Sequence, residues 1–428
     1  MYLISGASGG RMAHILAVFS LSLLLFGLLA LPTSALPRSS PSLVIAYVTV
    51  NSTADPGVGT CDATECTLRE AIVAAAAHGG TDTVAFDIPD SDPNYSHTTG
   101  VWTIVLASTL SAPSGDIVDG TTQATNYGSD TNPYGPEIEI SGEALDPGYS
   151  CWIFGSGNTI KGLVINRCPA YGIWITGGDN NTIIGNYIGT DATGTTDQGV
   201  GDDGILLNNG AENNTIGGPS QADRNIISGN NWSGIRIAGA TTMGNVIKGN
   251  YIGTDRTGTT SLGNGSYGVE IHADAHSNTV GPDNIIAYNA LYGVSVDGAS
   301  TLYNRITRNS IHSNGGKGIA LTNDANGKLA APAVTDAFCT GGSGTSGPYL
   351  GIEVFSDVDG QGRYFEGQTG ANSTGYWSLS LPSGSMFRFP MLTATATDIA
   401  GNTSEFSAPY PNGCKFIYLP LIMKNYAP

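Results

Sequence analysis

A degenerate repeat between residues 158 and 328 constrains the fold of this chain more than any other feature. Each copy opens with Asn-Thr-Ile or a close variant, continues to Asn-x-Ile, and closes with Gly-Ile-x-Ile or a close variant. The copies open at Asn158, Asn181, Asn214, Asn245, Asn278 and Asn304. Subtracting successive Asn numbers gives spacings of 23, 33, 31, 33 and 26 residues. A drifting period of this size predicts a solenoid, in which each unit buries its apolar face against its neighbours.

Three short β-branched runs occur in each unit, separated by Gly and Asn, and none has the period of an α-helix. Three short strands per turn, stacked in parallel on the next turn, predict a parallel β-helix over residues 101–330. We expect Asn and Gly at its corners, where left-handed backbone conformations are needed. Six stacked Asn side chains should form a ladder of amide hydrogen bonds, which is a structural role.

The first 35 residues have the organisation of a signal peptide. Arg11 precedes an apolar run over residues 15–31, and Thr33-Ser34-Ala35 offers small residues for cleavage. An uncleaved membrane anchor is the alternative, because the run is nearly long enough to span a bilayer. No later segment is a candidate span, so we expect a secreted, extracellular or cell-surface protein.

The cysteines agree with export. All six lie beyond the signal peptide: Cys61, Cys66, Cys151, Cys168, Cys339 and Cys414. Their order suggests the disulfides Cys61–Cys66, Cys151–Cys168 and Cys339–Cys414, although order alone leaves other connectivities open. The absence of Cys-x-x-Cys and the scarcity of His argue against a zinc site.

The formal net charge of −18 limits the partners of the chain. Such an acidic protein is a poor ligand for nucleic acids or anionic membranes. It would bind a polyuronate only if Ca²⁺ bridged the two acidic partners, so Ca²⁺ is the one cofactor that the sequence leaves open. Asp357-Val358-Asp359-Gly360 is either a calcium loop or a simple turn.

Residues 36–100 read as an N-terminal cap for the open end of the β-helix. Thr67 and Glu70 have capping-box spacing and open an Ala-rich helix that should run to about His78. An amphipathic helix there would cover apolar side chains and unpaired backbone groups of the first coil. We interpret Arg69 and Glu70 as helix-terminal charges rather than catalytic groups.

The cap region resembles that of a known group of proteins. The run Cys66-Thr67-Leu68-Arg69-Glu70-Ala71-Ile72, after Cys61, resembles the CSLREA-type N-terminal region of secreted bacterial proteins, with Thr67 where that group has Ser. The Asp119–Gln123 run and the repeated Tyr-Ile-Gly-Thr-Asp-x-Thr-Gly-Thr are also similar to that group. The resemblance implies a right-handed parallel β-helix similar to pectin lyases. It implies no single activity, because this fold carries lyases, hydrolases, adhesins and non-enzymes.

After the repeats, residues 331–411 show short alternating strands separated by Gly, Asp and Pro turns. This pattern predicts a C-terminal immunoglobulin-like β-sandwich. Residues 412–428 form a short apolar tail that is either a sorting tag or a last strand. The predicted fold class is therefore all-β: a β-helix with a helical cap and a sandwich.

The closing strands predict a candidate site. Their Ile residues should point inward, so the residues between them form an outward column: Trp174, Leu206, Arg236, Glu270, Ser295 and Ala320. A second outward column contains His272 and Asp297. Arg236 should meet Glu270 and His272 should meet Asp297, which makes these four residues the candidate catalytic group and Trp174 a candidate sugar platform. The alternative is ordinary charge pairing on a solvated sheet.

Two copies of one loop offer further candidates. Asp191 and Asp255 occupy equivalent positions in loops that should project from one side of the solenoid. Such loops often build a binding face, so both residues are candidate ligand-binding groups. The alternative is that each carboxylate only holds its own turn in shape.

The catalytic signatures of this fold are missing. Of the polygalacturonase pattern only Asp202-Asp203 is present, at a strand entrance where acidic turn residues are common, and the pectate lyase patterns are absent. We therefore expect a protein that binds polysaccharide or a cell-surface glycan, or mediates adhesion. The alternatives are a polysaccharide lyase or glycoside hydrolase on the same face, and a structural spacer. Whether it is an enzyme, and its oligomeric state, stay open.

Overall fold

The computed structural model describes residues 47–56 and 59–414. The predicted signal peptide and residues 415–428 of the predicted tail lie outside the described residues. From Thr83 onward, successive coils of the chain each contribute one parallel strand to each of three sheets, as in a right-handed parallel β-helix, and Tyr95–Ser96 adds an antiparallel strand at the edge of one of them. Within the described ranges, no helix is long and apolar enough to cross a membrane.

The three sheets run the length of the solenoid, and we name them A, B and C. Sheet A contains Tyr47–Val50, Thr83–Phe86, Ile117–Asp119, Thr159–Lys161, Thr182–Ile184, Thr215–Ile216, Val246–Ile247, Thr279–Val280 and Arg305–Ile306. Sheet B contains Tyr95–Ser96, Val101–Val105, Ile138–Ser141, Leu163–Asn166, Tyr187–Ile188, Ile226–Ile227, Tyr251–Ile252, Ile285–Ala287 and Ser310–His312. Sheet C contains Leu110–Ser114, Trp152–Ser156, Ile173–Thr176, Ile205–Asn208, Ile235–Ala238, Val269–His272, Val294–Asp297 and Ile319–Thr322.

The register confirms the inward and outward positions expected from the closing motif. In sheet C, Ile173, Ile205 and Ile235 pair in one row and are fully buried. The residues that follow them, Trp174, Leu206 and Arg236, pair in the next row and face outward. Most of the core is Ile, Val and Leu from such inward rows, so burial of aliphatic side chains between coils stabilises the fold.

The predicted Asn ladder is present. The side-chain amide of each opening Asn donates to the side-chain oxygen of the Asn in the next coil, at 2.9–3.1 Å. One expectation was wrong, because these Asn residues are not left-handed. The left-handed residue is the one before each of them: Gly157, Asn180, Asn213, Gly244, Ser277 and Tyr303. The ladder Asn therefore begins the strand, and its predecessor makes the turn.

Two further ladders, which the repeat had not suggested to us, occupy the other corners. The second precedes sheet B and contains Asn186, Asn225, Asn250, Asn284 and Asn309. The third lies between sheets B and C and contains Asn230, Asn264, Asn289 and Asn314. All of these Asn residues are buried. Each corner of the later coils is therefore fixed by amide hydrogen bonds that run along the solenoid.

The N-terminal end is covered as predicted. A helix spans Leu68–Ala77, with Thr67 and Glu70 forming the capping box and His78 as C-cap. Its apolar side packs on the first coil, and Arg69 pairs with Asp55 at 2.7 Å rather than facing a site. A second helix, Thr122–Tyr127, was not predicted. The short 3₁₀ helices are Gln221–Asp223 and Ala325–Lys328.

The C-terminal part forms two antiparallel sheets around Trp377 and Leu392. One contains Ala333–Phe338, Gly341–Thr345 and Tyr376–Ser380. The other contains Gly351–Asp357, Tyr364–Gly370, Met391–Thr397 and Tyr410–Pro411.

The three predicted disulfides are formed. Immunoglobulin-like topology and the domain boundaries stay predictions.

Side chains of this sandwich continue the ladders of the solenoid. Asn314 donates to Gln361 Oε1 at 3.1 Å, and Asn326, at the end of the first ladder, donates to the Thr403 carbonyl at 3.1 Å. The Glu353 carboxylate accepts from the Arg308 amide at 2.9 Å. Residues of the sandwich therefore provide the last coil with the hydrogen-bond partners that a further coil would have provided.

Candidate functional site

The outer face of sheet C carries the site that the sequence predicts. Trp174, Leu206, Arg236 and Glu270 are direct neighbours in successive strands, followed by Ser295 and Ala320. The predicted column is thus confirmed as a column. Leu206, Ser295 and Ala320 are nevertheless buried, which leaves Trp174, Arg236 and Glu270 as its partly exposed members.

Arg236 does not form the ion pair that we expected. Although it is paired in register with Glu270, its Nη2 lies 2.6 Å from Asp203 Oδ2 and 3.7 Å from Asp202 Oδ1. The same Nη2 donates to Tyr171 Oη at 3.1 Å. Because these partners come from the two preceding coils, the guanidinium points along the solenoid, away from Glu270.

Asp203 is the residue that sequence reasoning missed. We took it for an acidic turn residue, but it is fully buried, and its Oδ1 accepts from the Ser233 amide at 3.0 Å. Its pKa is raised to about 7, chiefly by burial and also by Asp202, against the lowering effect of Arg236. The sequence did contain a signal for this residue. Asp203 directly precedes the closing Gly204, and the residues at this position in successive coils stack on one another.

That stack forms a second surface row, which we call the edge column. It consists of the residue before each closing Gly: Tyr171, Asp203, Ser233, Tyr267, Tyr292 and Lys317. Backbone hydrogen bonds join each closing Gly to the edge-column carbonyl of the next coil. The residues one position earlier form a third row, the rim column: Ala170, Asp202, Trp232, Ser266, Leu291 and Gly316.

These two columns bring aromatic side chains beside the outer column. Trp232 is 52 % exposed, next to Asp202 in the preceding coil. Tyr267 and Tyr292 stack with ring centroids 5.7 Å apart and an interplanar angle of 21°. Trp174, the predicted platform, packs edge-on against Tyr171 and donates from Nε1 to Asn208 at 2.9 Å. Trp232 and the tyrosine pair were not among our predicted site residues.

Glu270 and Asp297 are the carboxylates on the outer part of the face. Glu270 Oε2 accepts weakly from Ser233 Oγ at 3.4 Å. Asp297 Oδ1 accepts from Thr322 Oγ1 at 2.5 Å and from Asn323 at 2.7 Å. Within the part of the chain that the structure describes, no Lys, Arg or His nitrogen lies within 4.0 Å of either carboxylate. The expected His272–Asp297 contact is therefore not formed, and His272 Nε2 is buried without a hydrogen-bond partner.

Both loop carboxylates hold their own loops. Asp191 Oδ1 accepts from the amides of Thr195 and Thr196, each at 3.0 Å. Asp255 Oδ1 accepts from the Thr257 hydroxyl at 2.7 Å and from three amides of its loop. Burial would raise the pKa of Asp255, but these hydrogen bonds outweigh it and the pKa is lowered. The geometry therefore favours the turn interpretation of both residues.

A calcium site is equally unsupported at Asp357–Gly360. The Asp357 oxygens accept from the amides of Gly360 at 3.0 Å and Gly362 at 2.7 Å, and Asp359 Oδ2 accepts from the Ser313 amide at 2.8 Å. Among the described residues, no group of three or more His, Cys, Asp or Glu side chains is placed to hold a metal ion. The segment is built as a turn that contacts the solenoid.

A groove of about 480 Å³ lies at the corner of sheets A and B. The aromatic and the cationic side chain that line this groove already contact other residues of the protein. Tyr187 Oη donates to the Tyr134 carbonyl at 2.7 Å, and Arg224 lies 4.1 Å from the Tyr251 ring. We therefore give the sheet C face priority as the candidate site.

Comparison with known proteins gives structural neighbours only. No protein-family model matches the chain, and no curated protein matches it. The A-module of a mannuronan C-5 epimerase from Azotobacter vinelandii is similar with 16% identity, a TM-score of 0.37, and coverage of 62% of this chain and 71% of that one. Pectate lyase Pel9A is similar with 15% identity, a TM-score of 0.31, and coverage of 66% and 77%. Structural similarity at these identities and TM-scores says nothing about the activity of this protein.

Proposed function

We propose that this protein binds a polysaccharide along the outer face of sheet C and acts as a secreted or cell-surface binding protein. The observation that carries the proposal is the exposed Trp232 beside the stacked Tyr267–Tyr292 pair, with Arg236, Asp202 and Glu270 around them. Aromatic faces pack against sugar rings, and guanidinium and carboxylate groups bond sugar hydroxyls with defined geometry. Arg236 and Glu270 lie on strands of sheet C, and Trp232 and the tyrosine pair lie in the turns that lead into these strands.

Burial of Asp203 favours binding over cleavage. A pKa of about 7 would suit an acid–base catalyst, but this side chain is sealed behind Arg236 and is fully buried. Asp203 therefore contributes to the face only indirectly, by positioning the Arg236 guanidinium. The three disulfides fit an oxidising compartment, which supports export as part of the same proposal.

Retention on insoluble polysaccharides tests the binding function. Purified protein would be passed over a panel of plant and bacterial glycans, with and without Ca²⁺, and bound protein quantified. We expect Trp232→Ala to weaken binding to the retained glycan by about tenfold or more, the usual scale for losing a central aromatic anchor. Phe338→Ala is the matched control, because Phe338 is 53 % exposed in the sandwich.

Two outcomes would count against this site. Equal losses for Trp232→Ala and Phe338→Ala would remove the sheet C face as the binding surface. If no glycan retained the protein, the structural spacer would be the better interpretation. Asp255→Asn should leave retention unchanged, since that carboxylate is used within its own loop.

A glycoside hydrolase is the second candidate, and the placement of Glu270 and Asp297 favours it. Both face outward on adjacent strands of sheet C, and Asp297 lies two positions beyond the register partner of Glu270. Strand spacing and rise place such a diagonal pair about 8 Å apart, within the range of inverting glycosidases. A lyase would need Arg236 or His272 as base, but Arg236 is held in ion pairs with Asp202 and Asp203, and His272 Nε2 is buried.

Formation of new reducing ends tests the hydrolase. If the wild-type protein cleaves any glycan of the panel, Glu270→Gln and Asp297→Asn should each abolish cleavage while retention persists. Cleavage that survives both substitutions would exclude this pair as the catalytic carboxyls. Ultraviolet absorbance of unsaturated products would report a lyase instead.

A further inference from the structure

The charges on the sheet C face are unbalanced, and this imbalance indicates the chemistry of the ligand. Its two cations are already paired within the protein: Arg236 Nη2 lies 2.6 Å from Asp203 and 3.7 Å from Asp202, and Lys317 at the far end of the edge column lies 2.6 Å from Glu405. Glu270 and Asp297 have no cation within 4.0 Å among the described residues. The face therefore presents carboxylates that the protein itself does not pair.

The aromatic pair lies among these carboxylates. The pKa of Tyr267 is raised by burial and then by Glu270, by its stacking partner Tyr292, and by Asp297. Both carboxylates thus act on the same aromatic side chain, which is in the coil next to that of Trp232. Asp202, in the coil before Trp232, is 36% exposed but is paired with Arg236. Tyr267 shares its coil with Glu270, and Tyr292 shares its coil with Asp297.

We propose that the ligand of this face is a polysaccharide of hexosamine units with free amino groups. The sugar rings would lie on Trp232 and the Tyr267–Tyr292 pair, and the protonated amines would pair with Glu270 and Asp297. This inference rests on the proposed binding function and names its ligand. A polyuronate would meet like charge on this face, whereas a neutral glycan would leave the carboxylates without an ionic partner.

The geometry of the solenoid suits a linear polymer of this kind. Successive coils are roughly 4.8 Å apart, so side chains of the edge and rim columns recur at that interval along the axis. One pyranose residue of an extended chain spans a similar length. Neighbouring sugars would therefore meet neighbouring coils, and rings that pack on Tyr267 and Tyr292 would have the carboxylates of the same coils, Glu270 and Asp297, beside their amines.

The test compares glucosamine oligomers with their fully N-acetylated counterparts of equal length and linkage, by calorimetry in mildly acidic buffer. We expect the free amines to increase affinity by about three- to tenfold, as two partly exposed ion pairs would. The double variant Glu270→Gln/Asp297→Asn should lose most of this preference. The double variant Asp283→Asn/Asp336→Asn, which also removes two exposed carboxylates but outside sheet C, should keep it.

Salt dependence gives a second measurement that needs no variant. The preference for free amines should fall as ionic strength rises, because exposed ion pairs are screened. Equal binding of the acetylated and free oligomers would overturn the inference and leave the proposed binding function standing. Tighter binding of a polyuronate would overturn it in the same way. If no glycan of the panel binds, the proposed function and this inference fail together.

Discussion

At the scale of single residues, Asp203 shows how a buried carboxylate shapes an exposed surface. It lies beneath the face, bonded to the Ser233 amide, and holds Arg236 at 2.6 Å. Arg236 Nε is buried without a hydrogen-bond partner among the described residues, so the ion pair with Asp203 and the contact with Tyr171 Oη fix the guanidinium. Removing Asp203 should therefore change both the stability and the shape of the site.

Stability should depend on pH through Asp203. Its pKa is about 7 in the folded protein against an ordinary 3.8, so between these values the folded state holds a proton that the unfolded state has lost. Its contribution to the free energy of unfolding is therefore fully present below about pH 4 and is lost as pH rises through about 7. Asp203→Asn should flatten this dependence by on the order of 2–4 kcal/mol.

Urea unfolding at several pH values across that window measures the effect. The wild-type midpoint should fall with rising pH more steeply than that of Asp203→Asn. Parallel pH dependences for the two proteins would show that Asp203 ionises normally. Asp283→Asn serves as the control, because it removes one exposed carboxylate far from Arg236.

At the scale of elements, the amide ladders determine which coil shapes are allowed. Asn245 donates to the Asn278 side chain and to the Ala211 carbonyl, and accepts from the backbone and side-chain amides of Asn214. All of these partners lie in neighbouring coils and are buried. One Asn thereby satisfies polar groups of three coils.

Asn245→Ala should destabilise the protein by about 2–4 kcal/mol, because several buried polar groups lose their partners at once. Asn231→Ala is the matched control: Asn231 is exposed, and its side chain makes no hydrogen bond within the described residues. The midpoints of chemical unfolding of the two variants give the comparison. Equal midpoints would mean that water replaces the hydrogen bonds of Asn245 with no loss in the free energy of unfolding.

The elements also show what sequence can predict. The opening Asn positions were recognisable because each precedes a β-branched strand in a repeating order, and the cap because Thr67 and Glu70 have capping-box spacing. The third ladder was missed because its Asn residues lie in corner loops without a fixed motif. Asp203 was missed because its burial depends on Tyr171 and Arg236, which come from other coils and are adjacent only after folding.

At the scale of the whole molecule, the sandwich completes the solenoid rather than following it on a linker. Gln361 accepts from the Asn314 amide at 3.1 Å and donates to the Asn314 and Gly316 carbonyls, each at 3.0 Å. It thereby takes the place of the next Asn in the third ladder. Such continuity should make the last coils and the sandwich unfold as one unit.

Gln361→Ala tests this coupling by hydrogen exchange. We expect faster exchange both in the last coils, residues 304–322, and in the sandwich strand Gly351–Asp357, since the substitution leaves buried polar groups of both parts unpaired. Gln368→Ala, on the neighbouring sandwich strand, is the control, because its side chain makes no hydrogen bond in the described part of the chain. Faster exchange confined to the sandwich would show that the two parts open independently.

The ladders also bear on how such a protein changes its length over evolutionary time. Each ladder Asn presents one acceptor to the coil before it and one donor to the coil after it, and in the first ladder these contacts repeat from Asn158 to Asn304. After duplication or deletion of a whole coil, the same hydrogen bonds would form between the coils that are then neighbours. The number of sugar-sized steps along the face can therefore be altered by unequal recombination, with no accompanying change to the two ends.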